Sequence, residues 1–302
     1  MALTVPFSIL EQWIFHLDQA PEPWSVHCEV RVPGRLDAER VAASALTATA
    51  KHSMARARMA SSRYRDRRYF WEISGRVDHL PIEIVDCADD AALADARERL
   101  QSMHVSLDSS PPFALTLAHH PGGDFLMINL HHAAADGIGS YRLLTSIARA
   151  YAGVEDPVPD VNPLAARDLR RRAGARSMKV AMTRARYLWG RAADVRSEGP
   201  PAGMAKQGGI EDAKGYRFHL ERLGPDETKL LMAQRRRPAT VNDLLVAAFA
   251  IAIARFNSER GLPTGRVSVM MPVNLRPQEW SGEVVANVLS FVSVAVRESE
   301  RS

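Results

Sequence analysis

The chain is poor in the residues that settle a protein's class at a glance. Among 302 residues there are only two cysteines, Cys28 and Cys87. They have no metal spacing and form no framework, so reduced thiols in a cytoplasmic protein are the simplest expectation. No uncharged apolar run reaches the ~18 residues of a membrane-spanning helix. The opening stretch, "MALTVPFSILEQWIFHLDQ", lacks a basic leader, and Glu11, His16 and Asp18 interrupt it. It does not read as a signal peptide. There is no G-x-S-x-G elbow, no internal repeat and no low-complexity tract. The net charge is a mild +4, which gives no argument for a nucleic-acid partner, and none is expected. What is present is an ordinary globular composition, 46% hydrophobic, in a chain long enough for about two lobes.

Strand and helix signals alternate through the first half. Trp24 to Gly34 has the period-two pattern of a half-buried strand. Asp37 is placed to cap an alanine-rich helix from Ala38 to about Lys51. "HSMARARMA" reads as extended and "PIEIVD" as a strand, and Asp89 or Asp90 begins a helix reaching about Met103. "FALTLAHH" and "DFLMINLHH" flank "PGG" as a hairpin, and "GIGSYRLLTSIARAYAG" follows as a helix stopped by Gly153. Composition then changes from Val154 to about Lys214, with prolines at both ends. Within it, Ala165 to Arg191 holds nine basic residues and one acid. At about 100° per residue, Met178, Ala181, Met182, Ala185, Leu188, Trp189 and Ala192 share a face, so this is a basic amphipathic helix. It reads as a solvated linker helix packing its methionine face on the lobes, or as a surface for anionic lipid or the phosphates of coenzyme A. Further on, Pro225 starts a helix to about Arg236. "TVND" is a capping box before "LLVAAFAIAIARF", a helix apolar nearly all round and therefore expected to be buried. "RVSVMMPVNLRP" and "NVLSFVSVAV" supply two last strands. The division implied is an N-terminal lobe 1–153, a linker 154–214 and a partial C-terminal lobe 215–302.

The stretch with most chemistry in it is "NLHHAAADGIGS", Asn129 to Ser140. Successive strand side chains point to opposite faces, so His131 and His132 do not converge on one partner. Zinc wants ligands converging from about 2 Å, and no metal site is expected. A neutral imidazole, with a pKa near ~6.5, can instead accept a proton at neutral pH. The small residues after it leave room for a ligand, and Gly137 and Gly139 would permit a sharp strand-to-helix turn. Asp136 follows one turn later and needs a buried cation, for which Arg276 in "PVNLRP" is the candidate. The plainer alternative, for a histidine pair on its own, is a hydrogen-bonded core residue beside a tight turn.

The pair is not on its own. "HHAAADG" is a complete HHxxxDG motif at His131, His132, Asp136 and Gly137, and it resembles the condensation-domain superfamily. That group includes nonribosomal peptide condensation domains, polyketide-associated acyltransferases and bacterial wax ester synthase/diacylglycerol acyltransferases. "ATVNDLLVAA" is similar to the Asn-Asp motif of the wax ester synthase branch, at Asn242 and Asp243. "MPVNLRP" with "NVLSFVSV", "KHSMARARM" and "SPPFALTLAHH" resemble other stretches of the superfamily in the right order. The resemblance implies an α/β (α+β) fold: a two-lobed, chloramphenicol-acetyltransferase-like sandwich of mixed sheets and helices, here with its second lobe incomplete.

It also implies a reaction. His132 would be the general base that deprotonates a small-molecule alcohol or amine, which then attacks an acyl thioester on coenzyme A or an acyl carrier protein. His131, Asp136, Gly137 and Arg276 would be structural at the site, and Asn242 and Asp243 candidates for a second-lobe contribution, with a capping box as the plainer reading of Asp243. No permanently bound cofactor is implied; the coenzyme A or phosphopantetheine thioester is a co-substrate. In the family the site lies where two lobes meet, reached by a tunnel from both faces. Alternatives are a free-standing condensation protein forming an amide, or an inactive scaffold of the same fold. Family members continue beyond the last strand here. Exposed faces at Val246, Phe249 and Ile253, with self-association or a partner chain completing the lobe, are therefore expected. The expected location is cytoplasmic, with peripheral membrane contact as a second expectation.

Overall fold

The computed structural model describes residues 3–18, 23–61, 68–157, Arg167, scattered positions between 178 and 196, 199–204, 221–235, 238–276 and 284–301. The chain divides into two compact units. The first comprises Met1–Leu169, Lys214–Phe218 and Asn274–Leu289; the second comprises Arg170–Ala213, His219–Val273 and Ser290–Ser302. The segment Asn274–Leu289, which the sequence division gave to the C-terminal lobe, thus groups with the first unit.

The first unit runs β1 (Leu3–Pro6), α1 (Ile9–Leu17), β2 (Ser25–Val32), α2 (Ala38–Lys51), β3 (Ala57–Met59), β4 (Phe70–Ile73), β5 (Ile82–Asp86), α3 (Asp90–Gln101), β6 (Phe113–His119), β7 (Asp124–His131) and α4 (Gly137–Ala152). Helix starts fall where side chains can satisfy free amides: Asp37 accepts from Arg40 N at 2.8 Å and Asp89 from Ala92 N at 2.8 Å. Ser8 and Glu11 form a reciprocal capping box on α1. The buried Glu11 carboxylate also takes the Trp71 indole N–H at 3.1 Å and the guanidinium of Arg167, which belongs to the same first unit.

Strand order in the main sheet is β2-β7-β6-β5, with β5 parallel to β6 and the rest antiparallel. Every residue of β6 and β7 is buried, so this hairpin is covered on both faces. The pleat sorts its side chains. Ala114, Ala118, Phe125 and Met127 pack with Leu93, Ala96 and Leu100 of α3. Phe113, Leu115, Leu117, Leu126, Ile128 and Leu130 join the larger core with Val41, Ala45 and Ala48 of α2 and Leu143, Leu144 and Ile147 of α4. Each such large side chain contributes roughly 1.5–3 kcal/mol by leaving water. A second sheet, β1-β4-β3, is antiparallel. "HSMARARMA" is not extended throughout: Met54–Arg56 is a single 3-10 turn, and only Ala57–Met59 is strand.

The second unit contains α5 (Pro225–Gln234) and α6 (Val241–Ser258), together with the pair β8 (Val267–Asn274) and β9 (Leu289–Val296), each of which has one end residue in the first unit. Ser268 and Ser293 hydroxyls meet across that pair at 2.6 Å. The expectation that α6 is buried is corrected: only Ala250 and Asn257 are, while Leu245, Phe249 and Ile251 are exposed and Val246 and Ile253 half-buried. Among the described residues of this unit, neither α5, which has no buried residue, nor the β8–β9 pair buries the apolar length of α6. By length and composition α6 is also long and apolar enough to cross a membrane, although it carries Asp243 and Arg255. The basic amphipathic helix lies largely outside the described residues. Of its apolar positions, Met178, Met182, Ala185, Trp189 and Ala192 are described, and all five are exposed.

Candidate functional site

The site grows from the end of β7. Strand alternation sends the two histidines to different environments, and their burial shows it. His131 is 1% exposed, whereas His132 is only partly covered. The His131 ring is used at both nitrogens. Nε2 faces the Asp18 carboxylate at 3.3 Å, and Nδ1 accepts the backbone N–H of Ala133 at 3.1 Å. An accepting Nδ1 leaves the proton on Nε2, so Nε2–H is the donor to Asp18. Asp18, at the C-cap of α1, accepts the Trp24 amide at 2.7 Å with its other oxygen. Burial works against the charged Asp18. The bonds from His131 and the Trp24 amide, with the nearby His104, outweigh it and hold the pKa below the ordinary aspartate value.

His132 is held by its backbone rather than its ring. Its N–H donates to Trp24 O at 3.1 Å, and its carbonyl accepts from Asn287 Nδ2 at 2.8 Å. The Trp24 and His132 rings lie 6.4 Å apart at a 32° tilt. Nδ1 of His132 is enclosed and makes no well-formed hydrogen bond. Burial pushes the His132 pKa below the usual histidine value. The carbonyls of His132 and Ala135 and the Asp136 carboxylate pull it back only in part, and His131 adds to the fall. The ring is therefore a free base at neutral pH, with its Nδ1 enclosed.

Asp136 is 2% exposed and closes the turn. As N-cap of α4 it accepts from Gly139 N at 2.9 Å. Arg276 grips the same carboxylate with a two-pronged fork, Nη1 to Oδ2 at 2.7 Å and Nη2 to Oδ1 at 2.8 Å, and Val288 N adds a bond at 2.9 Å. The guanidinium reaches on to the carbonyls of Val284 and Ala286 at 3.2 and 2.8 Å. Charge-assisted forks of this kind are the stronger class of hydrogen bond. The segment 284–288 is thereby pinned against the start of α4.

The glycines divide differently from expectation. Neither Gly137 nor Gly139 has a positive φ, so no left-handed turn is involved. A Cβ on Gly137 would meet nothing, whereas one on Gly139 would stand 3.0 Å from Ala286 O. The close backbone approach that excludes a Cβ is at Gly139.

Asn242 and Asp243 lie at the start of α6, in the second unit, and are exposed. Asp243 caps its own helix: Thr240 N donates to it at 2.6 Å, and Asp243 N donates back to Thr240 Oγ1 at 3.3 Å. Those Thr240 bonds lower its pKa. Among the described residues, no three His, Cys, Asp or Glu side chains are grouped to hold a metal ion. Three contributors escaped the sequence reading: Asp18, Trp24 and Asn287. Each left a faint signal, namely a lone acid closing an apolar helix, a tryptophan at a strand entry, and a single amide inside "VVANVLSF".

A model of the condensation domain matches residues 5–297. The uncharacterized protein Rv2305 of Mycobacterium tuberculosis strain H37Rv is 38% identical over 301 residues, covering 99% of this chain and 68% of that protein. A stretch of the nonribosomal peptide synthetase dtxS1 of Metarhizium robertsii is 27% identical over 228 residues, 75% of this chain and 3% of the synthetase. Among solved structures, the first condensation domain of the CDA synthetase superposes with a TM-score of 0.74 at 15% identity, over 98% of this chain and 70% of that one. The starter condensation domain of a rhizomide synthetase mutant, in complex with C8-CoA and Leu-SNAC, gives 0.69 at 17%, over 97% and 66%. With the family model spanning nearly every residue from β1 to β9, the chain belongs to the condensation domain family.

Proposed function

We propose that the protein is an acyltransferase that moves an acyl group from a thioester to a hydroxyl or amine, with His132 as general base. The observation that carries this reading is the state of His132. It is a partly accessible imidazole, fixed through its backbone at Trp24 and Asn287, with burial lowering its pKa. In the proposed step the ring takes the proton from the acceptor X–H as X attacks the thioester carbonyl. The C–S bond then breaks, and the imidazolium returns the proton to the leaving thiolate. No acyl-enzyme is formed. Proton removal of this kind is worth ~10²–10⁴-fold, and the rest of the rate comes from holding donor and acceptor together.

The donor we favour is an acyl-coenzyme A, with an acyl carrier protein as the other source of the same pantetheine thioester. The likeness to a starter condensation domain bound to C8-CoA supports the first. No permanently bound cofactor enters the scheme. Two free cysteines, Cys28 and Cys87, fit a cytoplasmic setting. The wax ester synthase-like reading, in which the acceptor is a long alcohol, rests on Asn242 and Asp243. Because Asp243 is occupied in the capping box of α6 with Thr240, we give it second place.

The test is thiol release from octanoyl-coenzyme A with a panel of alcohols and amines, and product identification by mass spectrometry. Acceptor-dependent release with a matching ester or amide is expected. Release that is independent of acceptor, or absent with both coenzyme A and carrier donors, contradicts the proposal.

A further inference from the structure

We infer that Asp18 is the positioning residue for His132, acting through His131 and Trp24. Its carboxylate has two oxygens, and each holds one flank of the base. Oδ2 accepts from His131 Nε2 at 3.3 Å, and Oδ1 accepts from Trp24 N at 2.7 Å. Both lines then reach position 132. On one side His131 Nδ1 takes the Ala133 N–H at 3.1 Å, which sets the peptide immediately after His132. On the other, Trp24 O takes the His132 N–H at 3.1 Å, and the Trp24 ring faces the His132 ring at 6.4 Å. Asp18 is 8% exposed and ends α1, so it is held by the helix rather than free to follow its partners. His104 stands farther off, 3.9 Å from Oδ2.

Only a carboxylate fits both demands. An asparagine has one acceptor oxygen, so either the Trp24 amide or His131 must lose its partner. If the amide turns its NH₂ toward His131, Nε2 must give up its proton and Nδ1 must take it. Nδ1 can then no longer accept from Ala133. The hydrogen-bond chain thus makes the tautomer of His131 a reporter of Asp18, independent of any turnover.

The kinetic half of the test rests on the proposed acyl transfer; the spectroscopic half does not. In the full chain labelled with ¹⁵N-histidine, His131 is expected to show a protonated Nε2 and an unprotonated Nδ1. In Asp18→Asn that pattern should be lost, with kcat down by about tenfold or more and KM for the thioester within about threefold. Asp18→Glu keeps two acceptors and should recover the tautomer and part of kcat. An Nδ1–H tautomer at His131 in the native chain overturns the inference, and so does Asp18→Asn with native tautomer and native kcat. Should Asp18→Asn fail to fold, the native spectrum and Asp18→Glu decide between these outcomes. A native chain with the expected tautomer, lost in Asp18→Asn, but no acyl transfer from any donor would overturn the catalytic reading and leave the positioning of position 132 intact.

Discussion

His132 sits where a histidine does best as a base: sheltered enough to shed its charge, yet still partly open. The consequence for pH can be signed. In the proposed step the imidazole works unprotonated, and burial moves its pKa below the ordinary 6.5. The kcat/KM of the free enzyme should therefore be level through neutral pH. On acidification it should fall about tenfold per unit, with the bend below 6.5. A bend at or above 6.5 in a rate profile contradicts the environment described. At this scale the sequence was informative about opposites. Alternation along β7 separates His131 from His132 in the sequence alone, because side-chain direction on a strand is local. The partner of His131 was not legible. Asp18 lies more than a hundred positions away, and nothing local in either stretch records the pairing.

At the scale of elements, the start of α4 depends on one carboxylate. Asp136 serves the Gly139 amide, the Val288 amide and both prongs of Arg276. Asp136→Ala removes the cap and strands a buried guanidinium, a loss of about 3–5 kcal/mol. Urea unfolding should show the midpoint falling by the corresponding amount, and an unchanged midpoint contradicts the structural role. A second buried histidine joins α2 to α4. His52 caps the end of α2 and meets Ser146 Oγ of α4 at 2.8 Å. Burial, together with Arg142, Lys51 and Arg56 around it and against the pull of Asp156, lowers its pKa to about 4. The unfolded chain binds this proton near 6.5 and the folded chain does not. Stability is therefore undiminished above 6.5 and falls as pH drops toward 4, by roughly 3 kcal/mol. His52→Gln should flatten that slope in unfolding measured from pH 7.5 to 4.5; an identical slope in both proteins contradicts it. Boundaries of α2, α3, α4 and the β6–β7 hairpin were readable from caps and turns because those signals are local. β1 and β4 were not, since four-residue strands exist only through their pairing with each other and with β3.

At the scale of the molecule, the order of elements followed from motif order, while burial in the second unit did not. An all-round apolar helix implies a surrounding core, yet α6 keeps most of its side chains at the surface among the described residues. Hydrophobicity says that a face should be covered; it does not say by what. Likewise, no periodicity could place 274–289 with the first unit. That grouping comes from Arg276 reaching Asp136 and from Asn287 reaching His132, contacts between residues 140 and 155 positions apart. All of this converges on a single question, whether the 302-residue chain transfers acyl groups through the imidazole at 132. The direct measurement is thiol release from an acyl-coenzyme A with a productive acceptor, run with the native chain and with His132→Ala. The expected result is native turnover and a loss of ~10²–10⁴-fold in the variant at an unchanged thermal midpoint. Equal rates in the two proteins would contradict the assignment of His132 as the base.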